Sequence, residues 1–131
     1  MHKGSCHCGA VRLTIPSTPD VATKCNCSLC TKARSWFALA PPDHVRLLAG
    51  ADAQSLYEWV PPGKPESFLH FRFCKTCGVR TFGVGGDNAF CFVNVAALDN
   101  VDRDELERAP LRIADGKNDR FEVPPTDTRF L

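Results

Sequence analysis

Alternation of apolar and polar side chains is the clearest signal along this chain. Val11-Arg12-Leu13-Thr14-Ile15 sets Val11, Leu13 and Ile15 on one face, the period of a half-buried strand, and Pro16-Ser17-Thr18-Pro19 ends it. Ser67 to Phe73 repeats the pattern, with Leu69, Phe71 and Phe73 on one face. It runs into Cys74-Lys75-Thr76-Cys77 and resumes over Val79 to Gly83, so residues 67–83 read as strand, knuckle and strand, a hairpin of zinc-ribbon type. Ser35 to Ala40, stopped by Pro41-Pro42, is a further strand; Val45 to Leu48 is short and apolar. Leu56 to Val60 is β-prone and broken by Pro61-Pro62-Gly63-Lys64-Pro65. Gly83 to Asn88 reads as a loop, and Ala89 to Ala97 is the longest strand candidate. Helix signals are sparse. Thr31 to Arg34 supports one turn, and Asp102 followed three residues later by Glu105 is a capping-box start for a short helix ending before Pro110. The tail around Pro124-Pro125 has no periodicity. The pattern predicts a mainly β chain, with turns spaced as in a small sandwich or barrel-like pair of sheets and at most one short helix.

Size and charge narrow the possibilities. The 131 residues are one domain's worth, and 44% hydrophobic content with nine Phe is a globular composition. Apolar runs are too short to span a membrane, and Met1 to Cys6 lacks the apolar core of a secretory signal, so the expected location is cytoplasmic. Sixteen Lys and Arg against fifteen Asp and Glu leave +1, without the basic footprint of a nucleic-acid binder. The glycines of 83–86 lack the Gly-Lys-Ser/Thr of a phosphate-binding loop.

Eight cysteines change the picture more than any other feature. An even count fits disulfides in a secreted domain, but seven of the eight fall in tight groups: Cys6 and Cys8, then Cys25, Cys27 and Cys30, then Cys74 and Cys77. Thiols one or two residues apart converge on a metal more readily than they pair. A structural zinc takes four thiolates, and a catalytic zinc takes three protein ligands with one position open. The triplet can wrap one ion by itself. The two doublets each lack two ligands and are assigned to each other, a clip closing the long loop between residues 8 and 74. Residues two apart in an extended chain have Cα atoms about 6.6 Å apart, so the backbone must bend to bring their thiolates onto one ion. Gly9 and Gly78 follow the doublets and serve either as parts of such knuckles or as ordinary turn glycines. Cys91, within Phe90-Cys91-Phe92-Val93, is a small buried hydrophobe or a fourth ligand to the triplet's ion.

Three motifs in order, Gly4-Ser5-Cys6-His7-Cys8-Gly9-Ala10-Val11-Arg12, Cys25-Asn26-Cys27-Ser28-Leu29-Cys30 and Phe73-Cys74-Lys75-Thr76-Cys77-Gly78, resemble the glutathione-dependent formaldehyde-activating enzyme family, which includes the centromere protein V relatives. Val93-Asn94-Val95 with Leu98-Asp99 is similar to the family's later strand, and the resemblance is strongest over residues 4–99 of a single domain spanning 1–131. It implies a β-tent, a zinc-ribbon-derived double sheet. It implies a structural zinc on Cys6, Cys8, Cys74 and Cys77, and a second zinc at a catalytic, glutathione-handling site on Cys25, Cys27 and Cys30. The implied activity is addition of glutathione to formaldehyde, giving S-hydroxymethylglutathione, a carbon–sulfur lyase chemistry with a small thiol and an aldehyde as partners. The chain departs from the family pattern at Asn26, where His is frequent, and at Thr31, where a basic residue is frequent; neither change touches a thiolate.

The chemistry of three thiolates agrees with that activity. They leave a zinc ion formally at −1, a poor generator of hydroxide but a good partner for a soft fourth donor such as a thiolate. A tripeptide with two carboxylates also needs cations. Lys32 and Arg34 are the expected glutathione contacts, with Lys24 and Arg80 as further candidates, against the plainer reading of each as a solvated charge. Trp36 and Phe37 read as core or as pocket walls, and His7 and His70 as surface residues or acid–base groups. The competing function is a non-catalytic zinc module for partner or thiol binding, separated from the enzyme by whether a protein side chain fills the fourth position. A chromatin role is not expected, since no basic arm precedes the first motif.

Overall fold

The structure, a computed structural model, describes residues 1–64 and 69–131. Among these, ten strands form two sheets. The smaller joins β1 (His2–Ser5), β2 (Arg12–Ile15) and β5 (Arg46–Ala49), all antiparallel, with β2 in the middle. The larger contains β3 (Ala22–Cys25), β4 (Phe37–Ala40), β6 (Gln54–Trp59), β7 (Leu69–Cys74), β8 (Arg80–Gly85), β9 (Phe90–Asn94) and β10 (Leu111–Ala114). Its order is β10-β3-β4-β9-β8-β7-β6, antiparallel throughout except for β10 against β3. This is the mainly β, two-sheet architecture that the alternating pattern predicts.

The predicted face of β2 is the seam between the sheets. Leu13 and Ile15 are buried against Val93 of β9, with Val45, Phe82 and Leu98 around them. Val11, just ahead of β2, is fully buried against Cys6 and Cys74, so the apolar face of the strand continues into the first cysteine group. The hairpin of β7 and β8 forms as expected: Cys74 N–H donates to Val79 O (3.0 Å) and Gly78 N–H to Cys74 O (2.9 Å), turning the chain within the knuckle. The predicted start of this strand at Ser67 lies outside the described residues.

Several boundaries differ from the sequence reading. The 83–88 stretch is not all loop. Gly83 and Gly85 lie within β8, paired with Phe92 and Phe90 of β9, whose rings occupy the space a Cβ at either position would need. The long strand over 89–97 stops at Asn94, whose side chain accepts the Ala96 N–H (3.1 Å) and winds Val95–Ala97 into a 3-10 turn. Two short α-helices occur where one at most was expected. α2 (Arg103–Arg108) begins as predicted on Asp102, whose carboxylate accepts the Asp104 N–H (2.9 Å), and Leu106 packs it beside the buried Ala22, Ala38 and Val95. α1 (Ser28–Ala33) is longer than the single turn that the sequence predicts over 31–34. It starts earlier because Cys27 takes the capping position, its sulfur accepting from Cys30 N–H (3.4 Å), and it ends on Arg34 in a left-handed conformation.

Candidate metal centres and the cavity

The two cysteine groups converge as their spacing implies. The sulfurs of Cys6, Cys8, Cys74 and Cys77 all lie within 4.8 Å of one another, and so do those of Cys25, Cys27 and Cys30. All eight cysteines are free thiols. In the first group Cys8 Sγ is 3.6 Å from Cys6 Sγ and 3.7 Å from Cys74 Sγ. A tetrahedral ion with zinc–sulfur bonds of about 2.3 Å sets its ligands about 3.8 Å apart, so these sulfurs already have the spacing of a zinc cage. Gly9 and Gly78 adopt positive φ (78° and 74°), which puts both in the knuckle role.

Backbone N–H groups point at the sulfurs of this cage. Val11 N–H donates to Cys6 Sγ at 3.3 Å. The backbone N–H of Cys8, then that of Val79, hold the Cys77 thiol down at about 6. Such donors favour the thiolate, the form a metal requires. The donor set therefore fits a structural zinc: four soft sulfurs, no open side, and the turn before β2 tied to the β7–β8 turn.

The triplet is built differently. Cys25 is the last residue of β3 and is buried; Cys27 caps α1 and Cys30 lies on its first turn, both half-buried. Cys27 N–H donates to Cys25 Sγ (3.4 Å). Hydrogen bonds from the Cys27 and Cys30 thiols, with backbone N–H groups of Cys27 and Gly116, lower the Cys25 thiol to about 3, and the same sharing pushes Cys30 upward. Three thiols that cannot all ionise alone, held around one point, are a soft three-donor site awaiting a cation. Among the described residues no further His, Cys, Asp or Glu joins them. Cys91 is buried elsewhere, 3.9 Å from the Pro42 carbonyl, and behaves as a core residue.

The triplet opens into a cavity of ≈ 850 Å³ between β3, α1, the strands β7 to β9 and the segment after β10. Its walls are strongly aromatic: Phe71 and Phe92 sit 4.6 Å apart, with Phe37 and Phe90 each 6.4 Å from Phe92. Trp36 and Phe37 both line it, and Trp36 also packs on the Ala22 cluster, so the two readings of that residue are both met.

The basic residues divide in a way that spacing did not reveal. Arg34 lines the cavity but is exposed and donates to the Leu131 carbonyl (3.2 Å). Lys32 points to a separate depression of ≈ 540 Å³ on the other side of α1, because on a helix it faces away from Cys30. Lys24 lines neither. Arg80 lines the cavity, half-buried, with its guanidinium 4.9 Å above the Phe71 ring. His7 is exposed, and His70 pairs with Glu58 across β6 and β7 (3.1 Å), apart from the triplet.

Sequence reasoning missed the wall formed by residues 115–121. The parallel pairing of β10 with β3, which sets Ala114 beside Cys25, delivers it there. Asn26, flagged only as a departure from the family pattern, fastens it: Asn26 Nδ2 donates to Asp115 Oδ1 (2.8 Å), and Lys117 N–H donates to Asn26 Oδ1 (3.0 Å). Asp115 also accepts from Asn118, and these donors, Asn118 foremost, hold its carboxyl below the usual range. It is ionised at neutral pH, and the fastening is lost only as pH falls through that lowered value. Thr31, the second departure, lies 3.1 Å from the Asn26 carbonyl and 3.0 Å from that of Phe130.

No helix among the described residues is long and apolar enough to cross a membrane. The chain is similar to a crystal structure of a Rhodobacter sphaeroides protein solved as a structural-genomics target: TM-score 0.67, 32% identity, covering 83% of this chain and 98% of that one. The sequence profile described as "Glutathione-dependent formaldehyde-activating enzyme" matches residues 1–112, a span holding both cysteine groups and every strand of both sheets except the end of β10. The chain therefore belongs to the glutathione-dependent formaldehyde-activating enzyme family.

Proposed function

We propose that this protein joins glutathione to formaldehyde, giving S-hydroxymethylglutathione, or carries out the reverse carbon–sulfur cleavage, with Cys25, Cys27 and Cys30 holding a catalytic zinc. The observation that carries this reading is the triplet itself: three convergent thiols in the wall of a large cavity, with no fourth protein ligand among the described residues. A zinc ion there supplies an open position for a soft donor and favours the ionised form of a thiol that reaches it. In the reaction the thiolate sulfur adds to the aldehyde carbon, the carbonyl π pair moves to oxygen, and that oxygen takes a proton from water.

The chain's own residues provide the surroundings. The aromatic walls line the cavity with apolar surface, which lowers the local polarity around the thiols. The turn of Gly116 against Cys25 and the cap at Cys27 fix where two of the sulfurs point. Cys6, Cys8, Cys74 and Cys77 hold a second, structural zinc in this reading. Free thiols in such numbers suit a reducing compartment, and we place the protein in the cytoplasm.

Cobalt substitution tests the proposal. Thiolate-to-cobalt charge-transfer bands should change when glutathione is added and stay constant with a tripeptide analogue lacking sulfur. Unchanged bands at saturating glutathione, with both sites filled, would identify a non-catalytic zinc module instead.

A further inference from the structure

Arg80 is the first residue of β8, and its backbone is pinned there: its carbonyl accepts from Asn94 Nδ2 at 2.8 Å. Its side chain is not satisfied. The guanidinium stands over the Phe71 ring, Nη1 is shut off from solvent, and among the described residues no hydrogen-bond acceptor meets Nη1. A guanidinium stays protonated in any protein and carries five donors in a planar fork, so burying it without an acceptor leaves a standing demand for an anion. Burial disfavours its charge. The other arginines of the cavity differ. Arg34 and Arg112 are exposed, and each donates to a backbone carbonyl, of Leu131 and Phe121 respectively. Lys117 is exposed and attracted to Asp127.

We propose that Arg80 is the anion anchor of this cavity: its half-buried guanidinium, with Nη1 unpartnered among the described residues, lines the same cavity as the three thiols and takes a carboxylate of the thiol substrate. The inference rests on the glutathione reading above and narrows it, since it makes the preferred thiol one that carries a carboxylate. It also moves that contact from Lys32 and Arg34, on and just after α1, to the start of β8. The fork geometry suits a carboxylate held by two parallel hydrogen bonds, with the Phe71 ring beneath the guanidinium.

Two variants and three probes test it. The probes are glutathione, 2-mercaptoethanol (a thiol without a carboxylate) and γ-glutamyl-α-aminobutyryl-glycine (both carboxylates, no sulfur). In protein matched for metal content and thermal unfolding, Arg80→Gln should weaken both tripeptides about 10- to 100-fold, the loss expected for hydrogen bonds to a charged group. Its cobalt-band response to 2-mercaptoethanol should match wild type. Arg80→Lys, which keeps the charge and loses the fork, should recover part of the affinity, and it carries the same comparison if the Gln variant does not fold. Equal calorimetric affinity of wild type and Arg80→Gln for the sulfur-free tripeptide, or no binding to wild type, would overturn the anchor even with the cobalt bands responding to glutathione. Equal weakening of 2-mercaptoethanol would also overturn it, as damage to the thiol site. Cobalt bands that ignore every thiol, with Arg80-dependent tripeptide binding intact, would sink the glutathione reaction and leave the anchor standing.

Discussion

Gly116 is where one missing side chain matters most to the triplet. A Cβ built there meets Cys25 Sγ first, then Cys27 Cβ and the Phe121 ring at 3.2 Å each. Its backbone N–H also helps hold the Cys25 thiolate. Gly116→Ala should therefore displace Cys25 while leaving the four-thiol cage, none of whose residues Gly116 abuts, untouched. The expected result is one metal equivalent lost or bound at least about tenfold more weakly, the scale of second-shell defects at metal sites, with the other retained. Metal analysis after dialysis against a mild chelator reads this directly. Full retention of both equivalents would show that the loop yields at no cost to the site.

Among the elements, the segment after β10 decides the shape of the cavity, and two hydrogen bonds from one side chain hold it. Asn26 lies between two ligands of the triplet yet faces outward to Asp115 and Lys117. Asn26→Ala removes both bonds and leaves Asp115 with Asn118 alone. At about 0.5–1.5 kcal/mol per hydrogen bond, a loss of about 1–3 kcal/mol is expected. It should fall first on local opening, with faster amide exchange at Lys117 than in the β7–β8 hairpin. Exchange that is unchanged at Lys117 would mean that β10 alone holds the segment. Legibility at this scale followed the source of each element's order. β2 and the β7–β8 hairpin carry their pattern locally, and so does the Asp102 cap. β3 reads Ala-Thr-Lys-Cys and β10 reads Leu-Arg-Ile-Ala, neither an unambiguous strand, and each becomes one by pairing with the other across 85 or more residues of chain.

At the scale of the whole molecule, the two cysteine groups are not equivalent. The four-thiol cage ties the turn before β2 in one sheet to the β7–β8 turn in the other, residues 66 apart in sequence, and packs directly on Val11. Binding of a structural zinc can contribute on the order of 10 kcal/mol, comparable to the entire net stability of a small domain. Cys74→Ser should leave little folded protein. Cys27→Ser should lose the second ion only and unfold cooperatively, because the triplet closes a loop of a few residues and joins no distant elements. Zinc content measured with thermal unfolding checks both. A cooperatively folded Cys74→Ser protein with native metal content would contradict the assignment.

The sequence alone determined which thiols go together. Within six residues, or across a one- or two-residue knuckle with glycine after it, chain geometry leaves sulfurs few places to go, so spacing groups the triplet and each doublet, and the two doublets pair because each lacks two ligands. It also determined the strand faces that bury Val11, Leu13 and Ile15, since a period of two is set by the backbone. Only the tertiary structure decided which charges serve the cavity. Lys32 and Arg34 follow the thiols closely in sequence, but a helix turns Lys32 to its far side and leaves Arg34 exposed against the tail. Arg80, fifty residues from Cys30, is brought into the same cavity by β8 taking its place next to β9. Side-chain direction on a short element follows from local periodicity, whereas the meeting of a buried cation with a distant thiol follows from strand order, which no local pattern encodes.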